Sequence, residues 1–409
     1  MLELNSSNYL EQIIQLFGKE KFRPVLNELG IFLVHDLAQI KKLKCQIITI
    51  AGTNGKGQVA FELAELLRSK KITYCRWTSP HLVSVTERFH HDGKNIAWSE
   101  LIEITQEQLE RLEKTSLNLS FYEFLFGCFI QYVLRHQPQV LILEVGLGGR
   151  WDAVNLLEAD IACITSISRD HQEILGHRLE QILAEKYAVT RKGKTLITAL
   201  GPNYLQNRVA KWSAHDGVDW IDLYQQKILE KSDDFSILNQ MLGHTILAKM
   251  TSQPLPTPKL KSILRKRPLT LKTHQNGEQE LAFIGSHNVD GIRKLVLYLA
   301  QETYNNPIYD VCAVAFSQRG RNDLDVMLKI FKQYNSSFKK MVLVSEKFHK
   351  ALPEATIRDL GKQHQIEICT DWRKLLTKSQ PQKILFTGSN YFIGHLLQQL
   401  HYRDSASTS

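Results

Sequence analysis

A chain of 409 residues, 43% hydrophobic and 23% charged, has ordinary globular composition, and its length suggests two or three domains. No apolar run is long enough to span a bilayer, and Met1 to Asn5 places no charged lead before an apolar stretch, so neither a membrane-spanning nor a secretory chain is expected. The formal charge of +9 would suit nucleic acid or small anions, but Lys and Arg are dispersed, so anionic small molecules are the expected partners, with no nucleic acid and no membrane.

Taken in chain order, Gln46 to Ile50 reads as a buried strand, and Val59, Leu63, Leu66 and Leu67 then recur at helical spacing. Further strands are expected at Ile72 to Trp77, Val140 to Val145, Ile161 to Ile167 and Thr195 to Thr198. Strands alternating with helices predict a parallel sheet covered on both faces, with ligands beyond the carboxyl ends of the strands. Pro254, Pro256 and Pro258 break the pattern, and the basic run Lys259 to Arg267 follows them. This stretch is read as a linker that divides the chain into domains 1–258 and 259–409. The alternation then resumes, with strands at Leu281 to Ile284, Val311 to Phe316, Met341 to Ser345, Ile366 to Cys369 and Ile384 to Thr387, and a last helix over Gly394 to Leu400. The expected fold class is α/β: an N-terminal P-loop parallel-sheet ATPase domain and a smaller C-terminal Rossmann-like α/β domain. Six cysteines (Cys45, Cys75, Cys128, Cys163, Cys312, Cys369) form no CxxC pair and sit mostly in apolar segments. They read as reduced core thiols, which places the chain in the cytoplasm. The tail Asp404 to Ser409 reads as disordered.

The run Gly52-Thr53-Asn54-Gly55-Lys56-Gly57 joins the first strand to the first long helix. A strand, a glycine-rich turn with a lysine, and a helix N-terminus make a phosphate cradle: backbone N–H groups and the helix end face phosphate oxygens, and Lys56 neutralises them. The plainer alternative is a glycine-rich connecting turn. A hydroxyl that could bind Mg²⁺ is missing, since Gly57-Gln58-Val59 follows Lys56. The Gln58 amide oxygen could serve instead, and Gln58→Ser is expected to leave Mg-ATP use unchanged or tighter. Three strand ends carry polar residues: Ser79 in Thr78-Ser79-Pro80-His81, Glu144 inside a buried strand, and His171 in Arg169-Asp170-His171. A buried carboxylate is costly unless paired or metal-bound, so Glu144 is either a metal ligand or the partner of Arg150. Ser79, Glu144 and His171 together suit Mg²⁺ or Mn²⁺ and not structural zinc. Lys186, on a helix, reads by itself as an ordinary exposed lysine.

Ala51 to Gly57, Thr78-Ser-Pro-His-Leu82, Thr86-Glu-Arg88, Leu143 to Arg150 with Asp152 and Asn155, Thr165-Ser-Ile167, Asp170-His171, Leu175-Gly176 and Glu185-Lys186 follow one another in this order. Their order and spacing resemble the folylpolyglutamate synthase/dihydrofolate synthase family of Mur-ligase-like amide ligases, densely from about Asn8 to Ala199. The resemblance implies an ATP-dependent ligase that adds L-glutamate to dihydropteroate, and to reduced folates, through an acyl phosphate. It implies ATP, Mg²⁺ at two sites and a monovalent cation as cofactors, small-molecule partners, and a monomer. It assigns Asn54, Gly55, Lys56 and Gly57 with Asn239, Arg267 and His287 to ATP, and Ser79, Glu144 and His171 to magnesium. Lys186 matches a lysine carried carbamylated, which would hold a second Mg²⁺ and replaces the plain reading of that residue. Ser120, Phe121, Tyr122 and Glu123, with Trp151, Asp152 and Ala153, match the pterin-side segments. Lys56, His171 and Lys186 match the catalytic positions.

The chain also departs from that pattern. Gln58 replaces Ser or Thr, Ile284 stands where an Asp is usual before His287-Asn288, Ser317 to Arg321 replaces an Asp-Lys-Asp stretch, and Arg265 to Pro268 replaces Pro-Gly-Arg-Phe. Gly388-Ser389 through Gly394 resembles the closing Gly-Ser segment. Two rivals stand beside the leading reading: a Mur-type cell-wall ligase, disfavoured because the loop lies within the first sixty residues, and a catalytically impaired nucleotide-binding paralogue.

Overall fold

The computed structural model describes residues 4–18, 24–230, 235–257, 269–273, 279–302, 308–376 and 382–400. The expected basic run Lys259 to Arg267 and the tail from Asp404 lie outside the described residues, while the expected linker is described through Thr257. Contacts gather the chain into two compact units that divide between Leu264 and Arg265.

In chain order the first unit comprises α1 (Tyr9–Phe17), α2 (Asn27–Phe32), α3 (Val34–Leu43), β1 (Gln46–Ala51), α4 (Lys56–Ser69), β2 (Tyr74–Trp77), β3 (Phe89–His91), β4 (Lys94–Asn95), α5 (Trp98–Glu113), α6 (Phe121–His136), β5 (Val140–Glu144), β6 (Ile161–Ile164), α7 (Gln172–Leu175), α8 (Leu179–Tyr187), β7 (Thr195–Thr198), α9 (Asn203–Asp216), β8 (Asp219–Asp222) and α10 (Phe235–Met250). Its sheet runs β4-β3-β2-β5-β1-β6-β7-β8. The strands from β2 to β8 in that order are parallel, and β3 and β4 form an antiparallel edge. Every residue of β5 and β6 is buried, as strands covered on both faces require. Ile48, Ile50 and Ile142 pack against Val59 and Leu63 of α4 and Met241 and Leu242 of α10. Ala51, Leu141 and Leu143 face the other core, with Phe124 and Phe129 of α6 and Leu183 of α8. The chain leaves β1 towards β2 on one side and reaches β6 on the other, so the sheet has its switch point at the carboxyl end of β1, where a ligand crevice belongs.

The second unit comprises β9 (Leu269–Thr273), β10 (Gln279–Gly285), α11 (Val289–Glu302), β11 (Tyr309–Ala315), α12 (Arg321–Gln333), β12 (Phe338–Val344), α13 (Glu354–His364), β13 (Glu367–Cys369), β14 (Gln382–Gly388) and α14 (Asn390–Gln399). Its sheet runs β13-β12-β11-β14-β10-β9 and is parallel except for β9. The α/β class and the parallel sheets match the expectation.

The differences are local and have physical causes. The expected strand Ile161 to Ile167 ends at Ile164, because the next residues leave the sheet to bond the glycine-rich turn. β3, β4, β8 and β9 were not anticipated: the first three are two to four residues long and carry His, Lys, Asn and Asp, and all four lie at or next to a sheet edge. The last helix begins at Asn390 and not near Gly394, since the Ser389 hydroxyl accepts from the Tyr391 N–H and caps it there. All six cysteines are buried and unpaired. Among the described residues, no helix is long and apolar enough to cross a membrane.

Candidate nucleotide and metal site

β1 delivers the turn Gly52 to Gly57 to the switch point, and α4 begins at Lys56 with Gly55 as its cap, at φ 89°. Gly52 has φ 149°, and a Cβ there would stand 1.9 Å from Thr165 Oγ1, so only glycine fits. The residues after β6 pin the turn. Thr53 N–H donates to Ser166 O at 2.9 Å. Asn54 N–H donates to Ser166 Oγ at 3.0 Å, Thr165 Oγ1 donates to Asn54 O at 2.7 Å, and Ser168 N–H donates to Thr53 Oγ1 at 3.1 Å. Sequence reasoning named Thr165 to Ile167 only as part of a pattern and missed this role. Lys56 Nζ rests on Gly52 O at 3.1 Å and Thr53 O at 3.4 Å, so its charge stands over the cradle.

Glu144, the last residue of β5, reaches this same place: a Cβ on Gly57 would lie 3.4 Å from both its carboxylate oxygens. It is 6% exposed. Burial pushes its pKa up to about 7, against the opposing pull of Lys56, the Ser79 N–H, Arg76 and Arg88. Ser79 N–H donates to Glu144 Oε2 at 3.2 Å, which brings two expected metal residues together. The alternative pairing of Glu144 with Arg150 is overturned, for Arg150 Nε donates to Glu185 Oε1 at 3.0 Å. His171 stands at the N-terminus of the short α7, half-exposed, with Nδ1 3.7 Å from Glu173. Among the described residues no three His, Cys, Asp or Glu side chains gather into a metal cage. A buried carboxylate with Ser79 beside it, next to a phosphate-type turn, still fits a hard divalent cation that takes its other ligands from phosphate and water, while the ion-pair contact of His171 is with Glu173 and not with this pair. Arg76 and Arg88 were missed as charges near Glu144. Arg76 Nε is buried without a hydrogen-bond partner, and Arg88 donates to His81 Nδ1 at 3.0 Å.

Lys186 is not the exposed helix lysine that its local sequence suggests. It is 3% exposed, and burial, followed by the nearby Lys56 charge, lowers its pKa to about 7; Asp170, Asp152 and Glu185 oppose this. Gly149 lets α8 come this close: a Cβ there would meet Glu185 O at 2.7 Å and Lys186 Cα at 3.2 Å. Arg150 N–H closes the contact by donating to Glu185 O at 2.9 Å.

Asp152 organises the turn before it. Its carboxylate accepts from the N–H groups of Gly146 at 2.9 Å and of Leu147 and Val154 at 3.1 Å, and from the Tyr122 hydroxyl at 3.1 Å. Burial outweighs these bonds and raises its pKa to about 6. Trp77 Nε1 donates in turn to Tyr122 Oη at 3.1 Å. The segments 120–123 and 151–153 therefore meet. Their members differ in character: Trp151 is exposed, while Phe121 and Ala153 are buried. Ser120 and Glu123 form a reciprocal capping box at the start of α6, a structural role that was readable as Ser-x-x-Glu.

Asn239 of α10 lies against the cradle: a Cβ on Gly55 would stand 2.4 Å from its Oδ1. In the second unit, His287 and Asn288 follow β10, and Asn288 Oδ1 accepts from Gly291 N–H at 2.8 Å as a helix cap. Ile284 lies in β10, and its carbonyl accepts from Thr387 Oγ1 at 2.7 Å. Ser317 Oγ and Ser389 Oγ share a 2.5 Å hydrogen bond at the ends of β11 and β14. Arg267 lies outside the described residues.

No family model matches the chain. Over 407 residues it is 26% identical to the dihydrofolate synthase/folylpolyglutamate synthase of Bacillus subtilis, an alignment covering 87% of this chain and 91% of that one. Its fold is similar to that of a bifunctional folylpolyglutamate synthase/dihydrofolate synthase from Yersinia pestis complexed with AMPPNP and Mn (TM-score 0.77, 22% identity, 98% and 99% of the two chains). It is equally similar to E. coli FolC in complex with DHPP and ADP (TM-score 0.78, 20% identity, 98% of each chain). Over most of its length the chain is thus similar to a dihydrofolate synthase/folylpolyglutamate synthase, in sequence and in fold.

Proposed function

We propose that this protein is an ATP- and Mg²⁺-dependent amide ligase that joins L-glutamate to dihydropteroate and to reduced folates. The observation that carries the reading is the meeting of a phosphate-type turn with the buried Glu144 at Gly57 and the buried Lys186 within the field of Lys56. The solved relatives holding AMPPNP and Mn, and DHPP and ADP, support the substrate classes.

In the reaction the acceptor carboxylate takes the γ-phosphoryl group of ATP, giving an acyl phosphate and ADP. The glutamate amine then attacks the acyl carbon, loses a proton and expels phosphate as the amide forms. The protein's task is positioning and charge neutralisation. The N–H groups of Asn54 to Gly57 and the Lys56 ammonium receive the phosphates. Asn239 would border them, while Arg267 and His287 are assigned to ATP by the resemblance alone. Tyr122, held between Trp77 and Asp152, and the exposed Trp151 offer aromatic surface for a pterin. Ser79, Glu144 and His171 would hold a divalent cation, which when bound offsets phosphate charge. Lys186, as a carbamate, would supply a carboxylate for a second one. Cytoplasmic residence and a monomeric state belong to this same reading.

An acceptor panel tests the substrate assignment. Labelled L-glutamate should enter product with dihydropteroate and with a reduced folate. Incorporation with neither would sink it.

A further inference from the structure

Gln58 is where the phosphate turn departs from pattern, since neither it nor Gly57 offers a hydroxyl to a metal. It lies in the first turn of α4, half-buried, and its Oε1 accepts a hydrogen bond from Asn239 Nδ2 at 2.8 Å. Asn239 is 3% exposed. Its amide lies against Gly55: a Cβ there would meet Oδ1 at 2.4 Å and Nδ2 at 2.9 Å. The contacts Gln58–Asn239–Gly55 thus begin and end on the phosphate turn and its helix, with α10 between them. α10 is a fixed support, because Met241 and Leu242 share a core with Val59 and Leu63 of α4.

We infer that Gln58 is a positioning residue for nucleotide binding, acting through Asn239 and not as a metal ligand. It holds the Asn239 amide flat against Gly55, and this wall keeps the turn in the shape that receives phosphates. Without Gln58 the buried Asn239 donor is left unpaired and its amide turns away, so Gly55 gains freedom that must be lost again when phosphate binds. Serine is too short to reach Asn239, so this inference predicts a loss for Gln58→Ser, where the sequence alone leads to unchanged or tighter Mg-ATP use. The inference rests on the proposed nucleotide role of the turn.

The test measures ADP binding to the full chain by calorimetry, once with Mg²⁺ and once with excess EDTA. Gln58→Ala and Gln58→Ser should each weaken ADP about fivefold, the worth of one neutral hydrogen bond, in both conditions. Asn239→Ala should do the same, and the double variant should lose no more than either single one. The swapped pair, Gln58→Asn with Asn239→Gln, should recover part of the loss. In steady state KM for ATP should rise with kcat little changed, a split that general destabilisation does not produce. A loss confined to the Mg²⁺ condition would make Gln58 a metal contact and overturn the inference, as would additive losses or unchanged binding. Failure of the unaltered protein to bind ADP would instead overturn the nucleotide reading beneath it.

Discussion

Gly149→Ala perturbs a close approach that places Lys186. The new Cβ would stand 2.7 Å from Glu185 O, 3.0 Å from Val189 Cγ1 and 3.2 Å from Lys186 Cα. Two of these are backbone atoms of α8 and cannot rotate aside. Restoring ordinary contact needs α8 to retreat by about 0.7 Å, against the 2.9 Å bond from Arg150 N–H and the 3.0 Å Arg150–Glu185 pair. Overpacking of this kind costs about 1–3 kcal/mol, a melting temperature lower by roughly 2–10 °C. Lys186 moves with the helix, and misplacing a reacting-centre group by about 1 Å costs on the order of a hundredfold, so kcat should fall about 10- to 100-fold. Thermal melts and labelled-glutamate turnover measure the two effects. Gly201→Ala is the control, with no atom within 4 Å of its new Cβ, and should change neither. A Gly149→Ala protein that melts earlier yet turns over like the unaltered one would refute the claim that Lys186 must sit where Gly149 lets it.

Gly52→Ala would drive a Cβ to 1.9 Å from Thr165 Oγ1 and break that residue's bond to Asn54, so ADP affinity should drop at least about tenfold by calorimetry; undiminished affinity would contradict the cradle. Lys186→Ala should lower turnover by about a hundredfold or more, and removing bicarbonate should slow the unaltered protein; full turnover in the variant would leave Lys186 a structural residue. Asp152→Asn gives a signed pH test. Burial raises the native pKa to about 6 from 3.8, so between these values the native state holds a proton the unfolded chain has lost, and this group's contribution falls as pH rises through the window. The stability of the unaltered protein relative to Asp152→Asn should therefore decline by about 2–3 kcal/mol from pH 4 to 6.5 in denaturant titrations, and a flat difference would refute the shift.

The central strands were legible because each is a short apolar run, and the turn Gly52 to Gly57 because its residues are contiguous. What the sequence hid is long-range. Thr165 to Ser168 pin a turn more than a hundred residues earlier, and Asn239 meets Gln58 across 181 positions. Lys186 reads as exposed because nothing in Ala184 to Ala188 records that Gly149 lets α8 come so near. Arg150 flanks Glu144 in sequence but pairs with Glu185, since the turn it belongs to docks on α8. Ser120 and Glu123 show the reverse case: their capping box is local and readable, yet the resemblance drew attention to a substrate role instead. The strands β3, β4 and β8 escaped because two to four residues with at most two apolar ones are too short to carry a periodic signal.

The most direct measurement follows ADP release by purified protein with Mg²⁺ and ATP while acceptor and glutamate are added singly and together. Stoichiometric ADP and labelled amide product are expected only when dihydropteroate or a reduced folate and L-glutamate are both present. ADP release indifferent to both, or no release under any combination, would contradict the ligase reading.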